Sequence, residues 1–436
     1  MNAVQPSTKL TRWTGAAVVA AFMAYYCMYS FRKPFAVLPF DGGWWGGIAL
    51  KSAIVTAQLI GYVSAKFLGT RVCSGIHREN VFQALMACIL VALGSLALLA
   101  VLPPKLGVLA MLLNGLSLGM VWGMVMRPLE GRGNSELLIA GLCTSFIVAS
   151  GDVKSMGQRV LDSAPFQSFF GNDSWMPFAT SLIYLVPFTV AAFVLGKVPK
   201  PSSQEEESRS PRHSMTRQDR LTFIRNLAAV LVPIAVTYFM LTSFRDYRDN
   251  FQANLFLETG VDISATKDAF STSERIIAFV VVSITGLVIL VRHHLAALQI
   301  SYLVMAVSLL IPALAISLRK SGAIDGMTWM ILSGTGTYIP YIIIHCVTFE
   351  RLVAFTLTPG NAVFAMMLLD GLGYLGPILI IPLGDLIGGE SRLATFDCLT
   401  YALTFIGVSC MIFCMAVTPR YGGKAIRQTT GHPTLS

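Results

Sequence analysis

One segment of the chain occurs twice: residues 25–32 read YYCMYSFR, and residues 238–245 read YFMLTSFR. Tyrosine, Ser-Phe and arginine recur at the same places, and the two copies lie about half the chain apart. A second match follows, because Glu130 and Glu350 precede Gly151 and Gly371 by the same spacing. These matches predict an internal duplication, and hence two halves of similar structure.

The composition around these segments is that of a membrane protein. Of the 436 residues, 54% are hydrophobic and only 13% are charged, and the mean hydropathy is +0.66. A soluble protein typically needs about a quarter of its residues charged to cover its surface. A chain facing lipid has no such need. The composition therefore excludes a soluble globular protein.

The apolar runs are long enough to cross a bilayer as helices. A transmembrane helix needs about 20 predominantly apolar residues, and lipid leaves helices as the default way to pair every backbone polar group. The runs are too long and too uniformly apolar for the alternating strands of a barrel. Twelve windows qualify: 14–38, 48–68, 81–102, 106–126, 137–157, 175–196, 226–250, 270–291, 295–317, 326–348, 360–384 and 394–417. The expected fold class is an all-α membrane protein with about twelve transmembrane helices.

The longest polar stretch divides these windows into two sets of six. We expect an N-terminal six-helix half at 1–196, a solvated linker at 197–225, a C-terminal six-helix half at 226–417 and a tail at 418–436. The linker carries prolines, an acidic run and several arginines, a composition typical of a solvated connection. Parallel six-helix repeats predict a pseudo-symmetric bundle with a substrate site between the halves.

The distribution of lysine and arginine predicts the orientation. The larger share falls on the side that holds the N-terminus, the central linker and the C-terminus. Cytoplasmic loops are enriched in these residues, so both termini are expected in the cytoplasm. The first apolar run lacks a small-residue cleavage pattern and is interpreted as a span that stays in place.

The remaining composition argues against several other classes of function. The net charge of +9 is explained by basic loops, without a patch suited to nucleic acid. Eight cysteines show no metal-type spacing and lie mostly in apolar runs, so neither disulfides nor a metal site are expected. There is no enzyme constellation or phosphate-cradling glycine loop. We expect no cofactor, no enzymatic activity and a monomeric protein.

Charged residues within the predicted spans are the strongest functional signal. Arg32 and Arg245 occupy matching places in the two repeats, although a cation at membrane depth costs about 2.5–3.5 kcal/mol on insertion scales. Such a pair, facing a central cavity, would bind phosphate or carboxylate through two forked guanidinium groups. The alternative is that each side chain reaches the interface. Lys33 is a further candidate, as is Arg248, which could instead pair with its acidic neighbours.

Two aspartates fall in predicted spans. Asp370 is a candidate for proton coupling or for a counter-ion, with helix packing as the alternative. Asp152 is a candidate for the same coupling or counter-ion roles, and it could pair with Lys154 or with a neighbouring helix. His345 also lies in a span, where a lone histidine is more often a packing residue.

Three tyrosines, Tyr25, Tyr26 and Tyr238, lie two helical turns before the arginines. They could line a cavity and bind a ligand, or they could pack as ordinary aromatics. The four-residue spacing of Gly115 and Gly119 predicts a close approach between helices.

The segment YSFRKPFAVLPF at residues 29–40 resembles the organophosphate:phosphate antiporter branch of the major facilitator superfamily. The glycine-rich run at 371–376 is similar to a helix of the same family. The resemblance implies the major facilitator fold, the inner membrane of a bacterium, and a phosphate clamp at Arg32 and Arg245. The chain departs from the superfamily's loop motif, because Ala65 stands where an aspartate is usual.

The leading hypothesis is therefore a secondary active transporter that moves a small organic anion, such as an organophosphate, by alternating access. A second hypothesis is a proton-coupled transporter of a sugar, peptide fragment or drug, with Asp370 coupling the proton. A third is a membrane sensor that has kept the fold without transporting. In each case the expected partners are a small molecule and the lipid bilayer.

Overall fold

A computed structural model describes residues 8–75, 80–126, 135–198, 217–266, 268–356, 362–388 and 391–421. Within these ranges the chain is helical, and the only β interaction is an isolated bridge between Gly43 and Ala49. The α-helices are α1 (Thr8–Met28), α2 (Leu50–Gly75), α3 (Val81–Val101), α4 (Gly107–Leu118), α5 (Val121–Met126), α6 (Ser135–Leu161), α7 (Ala164–Phe170), α8 (Met176–Lys197), α9 (Arg217–Glu258), α10 (Ala269–Ile289), α11 (His294–Lys320), α12 (Gly326–Ile343), α13 (Phe349–Thr356), α14 (Ala362–Gly388) and α15 (Arg392–Val417).

Nine helices in the described part of the chain are long and apolar enough to cross a membrane. Each of the twelve predicted windows overlaps a helix, including the three windows whose helices α1, α2 and α6 are not among those nine. The protein is therefore an all-α, multi-pass membrane protein, as the sequence predicts.

The first predicted span was too long as a continuous helix. Helix α1 ends at Met28, and two short 3₁₀ turns follow at Tyr29–Phe31 and Pro34–Val37. Proline has no backbone N–H, and its ring clashes with the carbonyl group four residues earlier, so Pro34 disfavours a regular α-helix that continues through residues 30–34. Arg32 and Lys33 consequently lie in the irregular connection after the helix.

The boundary of the predicted linker also differs. Helix α9 begins at Arg217, so the last part of the predicted segment 197–225 is helical, and residues 199–216 lie outside the described residues. Asp219 in the first turn places a negative charge near the N-terminal end of the helix dipole. At the other end of the chain, the predicted tail beyond Tyr421 lies outside the described residues.

By their contacts, the described residues form two compact units. Unit 1 contains the residues before 212 together with Asn250–Leu257 and Asp262–Arg275. Unit 2 contains residues 212–249, Glu258–Val261 and the chain from Ile276 onward. Helices α9 and α10 thus each contribute one end to unit 1.

Within unit 1, α2 and α4 meet through their backbones. A Cβ atom added to Gly115 would lie 2.0 Å from the carbonyl oxygen of Gln58, and one added to Gly61 would lie 2.2 Å from that of Leu112. The expected close approach of glycine-bearing helices is therefore confirmed. The buried side chain of Asn114 reinforces this contact, since it accepts a hydrogen bond from Gln58 (2.7 Å) and donates to the carbonyl oxygen of Phe31 (3.0 Å).

Within unit 2, α11 packs against α12 and α15, and α14 packs against α13 and α15. Helix α12 continues into a π-helical turn at Ile344–Thr348 before α13 begins. Such single π turns often occur at functional sites.

Candidate functional site

Arg32 is held against aromatic rings inside unit 1. Its guanidinium carbon lies 4.2 Å from the centre of the Tyr62 ring and 5.9 Å from that of Tyr29. The residue is 5% exposed, so it does not reach outward as an interfacial arginine would. Its backbone is fixed as well, because its N–H donates to Tyr29 and its carbonyl oxygen accepts from Gln58.

Three lysines in unit 1 are buried, and each donates to a side-chain amide from the end of α9. The ammonium of Lys33 bonds to Asn250 at 3.0 Å, that of Lys51 bonds to Asn254 at 2.7 Å, and that of Lys154 makes a short bond to Gln252. Lys33, predicted as a substrate ligand, is thus engaged with another part of the protein. The lysine and amide residues are far apart in sequence, so the pattern could not be found from spacing.

Asp152 of α6 joins two further elements of unit 1. Its carboxylate accepts a hydrogen bond of 2.6 Å from the Tyr26 hydroxyl and lies 2.8 Å from the guanidinium of Arg275. Of the two predicted arrangements, the structure shows pairing with a neighbouring helix. Tyr25 has a different environment, because its ring packs edge-on against Trp122 (4.7 Å) and Tyr29 (5.7 Å).

Arg245 lies in unit 2 in an environment that resembles that of Arg32. Its guanidinium carbon is 4.4 Å from the centre of the Tyr341 ring. One of its nitrogens is 3.2 Å from the carboxylate of Asp246. Arg248, one turn further along α9, is fully buried, and its guanidinium donates to the carbonyl oxygen of Met330 at 3.4 Å.

The hydroxyl of Tyr238 lies close to two other titratable side chains of unit 2. Its hydroxyl lies 3.1 Å from the carboxylate of Asp370 and 3.3 Å from Nε2 of His345. Its ring stacks on that of Tyr341 at 5.5 Å, and Tyr341 in turn packs against the His345 ring at 4.6 Å. We call Tyr238, Asp370, His345 and Tyr341 the tyrosine–histidine cluster.

His345 lies in the π-helical turn at Ile344–Thr348. At the start of this turn, the N–H of Ile344 is shared between the carbonyl oxygens of Pro340 and Tyr341. Nδ1 of His345 lies 3.1 Å from the carbonyl oxygen of Tyr341. The opposite ring nitrogen therefore faces Tyr238, and the imidazole is fixed at both ends.

Close packing of α14 completes the cluster. A Cβ atom added to Gly373 would lie 2.4 Å from the Tyr238 ring, so α14 approaches α9 closely enough for Asp370 to reach the hydroxyl. Sequence reasoning identified Tyr238 and Asp370 as separate candidates. It interpreted His345 as a packing residue and did not consider Tyr341 or Tyr62, because residues in different helices give no common motif.

A family model described as "Family of unknown function (DUF5690)" matches residues 34–420. No curated protein matches the chain in sequence.

Solved transporter structures share its fold. A D-xylose-proton symporter aligns with a TM-score of 0.60 and 14% identity over 96% of this chain and 97% of that one. A peptide transporter, POT, bound to alafosfalin aligns with a TM-score of 0.61 and 14% identity over 94% and 95%. A bacterial homologue of the human lysosomal transporter Spinster aligns with a TM-score of 0.60 and 10% identity over 97% and 99%. The chain therefore has the major facilitator fold.

Proposed function

The chain belongs to the DUF5690 family of unknown function, and we propose that it is a secondary active transporter of a small organic anion that works by alternating access. The shared fold with sugar and peptide transporters supports transport as the general activity. An organophosphate is the substrate that the sequence resemblance to the antiporter branch favours.

One observation carries the choice of an anion: the arginine at the same place in each repeat has its guanidinium over a tyrosine ring. Arg32 lies over Tyr62, and Arg245 lies over Tyr341. Carboxylate and phosphate bind along the N–H edge of a guanidinium. The tyrosine contacts hold both arginines in place, and at Arg245 one nitrogen also contacts Asp246 at 3.2 Å.

The proposed binding residues are accordingly Arg32 and Arg245, oriented by Tyr62 and Tyr341. The contacts of Lys33, Tyr26 and Arg248 with other parts of the protein support a structural role for these three. Tyr25 packs among aromatic rings and supports the position of Tyr29 beside Arg32.

Binding to purified protein tests this proposal. Organic anions, organophosphates and inorganic phosphate are screened by thermal shift, and compounds that stabilise the protein are then assayed by counterflow in proteoliposomes. We expect Arg32→Lys and Arg245→Lys each to weaken binding at least about tenfold, because lysine lacks the bidentate fork.

Arg319→Lys is the matched control. The guanidinium carbon of Arg319 also lies 4.9 Å from the centre of an aromatic ring, that of Trp329, and one of its nitrogens contacts both carboxylate oxygens of Asp397 at 3.0 and 2.8 Å. A general effect of replacing an arginine that lies over an aromatic ring would appear in all three variants alike. Unchanged counterflow in both Arg32→Lys and Arg245→Lys would overturn the anion site.

A second function is favoured by the contact between Asp370 and Tyr238. A proton-coupled transporter of a sugar, peptide fragment or drug would use this carboxyl to carry the proton. Uptake that collapses with the proton gradient and does not respond to anions would select this function. Ligand binding without any flux would select a sensor.

The oligomeric state, the membrane and the orientation of the protein are also proposed. We place it as a monomer in the cytoplasmic membrane of a bacterium, with both termini in the cytoplasm and six helices in each of the halves 1–196 and 226–417. Reporter fusions at the two termini, active only in the cytoplasm, test this orientation. Periplasmic activity of either fusion would contradict it.

A further inference from the structure

The contacts of His345 indicate which of its ring nitrogens carries a hydrogen in the tyrosine–histidine cluster. A carbonyl oxygen only accepts hydrogen bonds, so the contact of 3.1 Å between Nδ1 of His345 and the oxygen of Tyr341 places a hydrogen on Nδ1. In the neutral imidazole the other nitrogen, Nε2, is then an acceptor. This acceptor faces the hydroxyl of Tyr238.

The hydroxyl of Tyr238 has a single hydrogen and several hydrogen-bond partners beside it, among them the hydroxyl of Tyr341. Two of these partners are Nε2 of His345 at 3.3 Å and the carboxylate of Asp370 at 3.1 Å. With His345 neutral and Asp370 ionised, only one of these two contacts can be a hydrogen bond. One additional proton satisfies both of them.

That proton has two alternative positions. On Nε2 of His345, it lets the imidazolium donate to the tyrosine oxygen while the tyrosine hydroxyl donates to Asp370. On Asp370, it lets the carboxylic acid donate to the tyrosine oxygen while the hydroxyl donates to Nε2. Transfer between the two states moves one proton onto the tyrosine oxygen and one off it, so the phenol stays neutral.

We propose that His345, Tyr238 and Asp370 form a binding site for one proton, and that its occupancy strengthens the binding of an anion at Arg245. In this proposal the proton is the coupling ion, and His345 is a residue that carries it. The link to the anion rests on the transport function proposed above, whereas the proton site does not.

Tyr341 connects the two parts of this proposal. The guanidinium of Arg245 lies 4.4 Å from the centre of its ring, and the imidazole of His345 lies 4.6 Å from it. Protonation of His345 therefore places two cations against one ring, where their repulsion is poorly screened. An anion bound to Arg245 relieves this repulsion, so the proton and the anion favour each other's binding.

Other charged and titratable groups also act on this region. Asp246 of α9 offsets part of the charge on Arg245. Tyr374 of α14 is within electrostatic range of Arg245. Glu350 of α13 lies near Cys346, the residue after His345. Asp246 and Glu350 thus add negative charge to the surroundings of Arg245 and His345.

Nuclear magnetic resonance of the full-length protein with ¹⁵N-labelled histidine tests the proton site without a ligand. The chain has six histidines, and the loss of a signal in His345→Gln identifies His345. We expect the Nδ1–H tautomer, and a larger protonated fraction at about pH 5 than at about pH 8. Asp370→Asn should lower the protonated fraction at a given pH, and Tyr238→Phe should also change it.

Two results would overturn the proton site: an Nε2–H tautomer throughout the titration, or a His345 signal that neither variant alters. His293→Gln is the control, because this histidine is exposed at the start of α11. Its removal should leave the His345 signal unchanged.

Sulfate binding tests the link to Arg245, since sulfate keeps its charge across this pH range. We expect its Kd to fall about tenfold from about pH 7.5 to about pH 5.5, as for a typical coupling between sites. His345→Gln should abolish this pH dependence and His293→Gln should retain it. Equal pH dependence in the two variants would overturn the link.

Absence of sulfate and phosphate binding at both pH values would overturn the link and the anion function together. The resonance experiment would still decide whether the proton site exists.

Discussion

Each unit of the protein holds a tyrosine of its first long helix against an aspartate of a later one, but the third partner differs. In unit 1, Tyr26 donates to Asp152 and the third partner is Arg275. In unit 2, Tyr238 donates to Asp370 and the third partner is His345. Arginine is always charged, whereas histidine changes charge near neutral pH.

The comparison shows that two similar contacts differ in the chemistry of the third partner. The first contact connects α1, α6 and α10 through an arginine, and the second brings a histidine beside α9 and α14. The two tyrosines are not equivalent in the repeat, because Tyr25 aligns with Tyr238. The contacts are therefore similar in chemistry without occupying matching positions.

The largest effect is expected from removing each carboxylate. Asp152→Ala leaves the part-buried Tyr26 hydroxyl without the acceptor that it uses in the described residues, and should cost about 2 kcal/mol of stability. Asp370→Ala should cost about 1 kcal/mol, because Nε2 of His345 still accepts from Tyr238. Thermal unfolding of the purified proteins in one detergent measures the difference. Equal losses would mean that the two pairs have the same role.

The second test compares the pH dependence of anion uptake in Asp370→Asn and Asp152→Asn. Uptake of the anion that gives the largest thermal shift should vary about tenfold per pH unit for one coupled proton, the equivalent of about 1.4 kcal/mol. Asp370→Asn should remove this dependence, since it takes away one end of the proton site. Asp152→Asn should retain it, and a loss in both variants would contradict the division of roles.

A smaller effect is expected at Arg275. Its side chain is 63% exposed, so its ion pair with Asp152 is screened by solvent and contributes about 0.5 kcal/mol. Arg275→Gln should therefore lower the unfolding temperature slightly at low salt. The difference from the native protein should disappear at high salt, since exposed charges are then screened. A salt-independent loss would show that Arg275 acts through packing.

The smallest effect concerns Asp325, which caps α12, the helix that carries Tyr341. Its carboxylate accepts from the N–H of Thr328 at 2.8 Å, and hydrogen bonds from Thr328 hold the pKa of Asp325 below its usual value. A lowered pKa stabilises the protein fully above the pKa of the unfolded chain, and the effect is lost as the pH falls through the folded-state pKa. Asparagine is an equally good cap.

Asp325→Asn should therefore leave stability at neutral pH within about 0.5 kcal/mol and flatten its decline below about pH 4. Unfolding temperatures measured across the acid range test this expectation. An altered profile near neutral pH would instead indicate that the cap influences His345.

Sequence alone predicted the helices well, because lipid requires long apolar runs and these are visible residue by residue. It failed at residues 29–38, where Pro34 interrupts the predicted helix in a segment that is mostly apolar despite Arg32 and Lys33. It also placed the start of α9 too late, because a helix can extend beyond the membrane on polar residues such as those after Arg217.

The candidate site was only partly predictable. The repeat identified Arg32 and Arg245, and membrane depth identified Asp370. The partners of these residues depend on contacts between distant segments and on a π turn. Pro340 is the only local sign of that turn, and a proline inside a helix has several possible outcomes. His345 could therefore not be distinguished from an ordinary packing histidine.

The backbone contact between Gly61 of α2 and Gly115 of α4 provides a fixed distance against which conformational changes of the protein can be measured. No side chain separates α2 from α4 at this point, so the two helices must travel together whenever the protein changes shape. Spin labels at Ile60 and Leu109, which are exposed on these helices, should keep a constant separation in every state. Such a pair would calibrate the distances that do change elsewhere in the molecule.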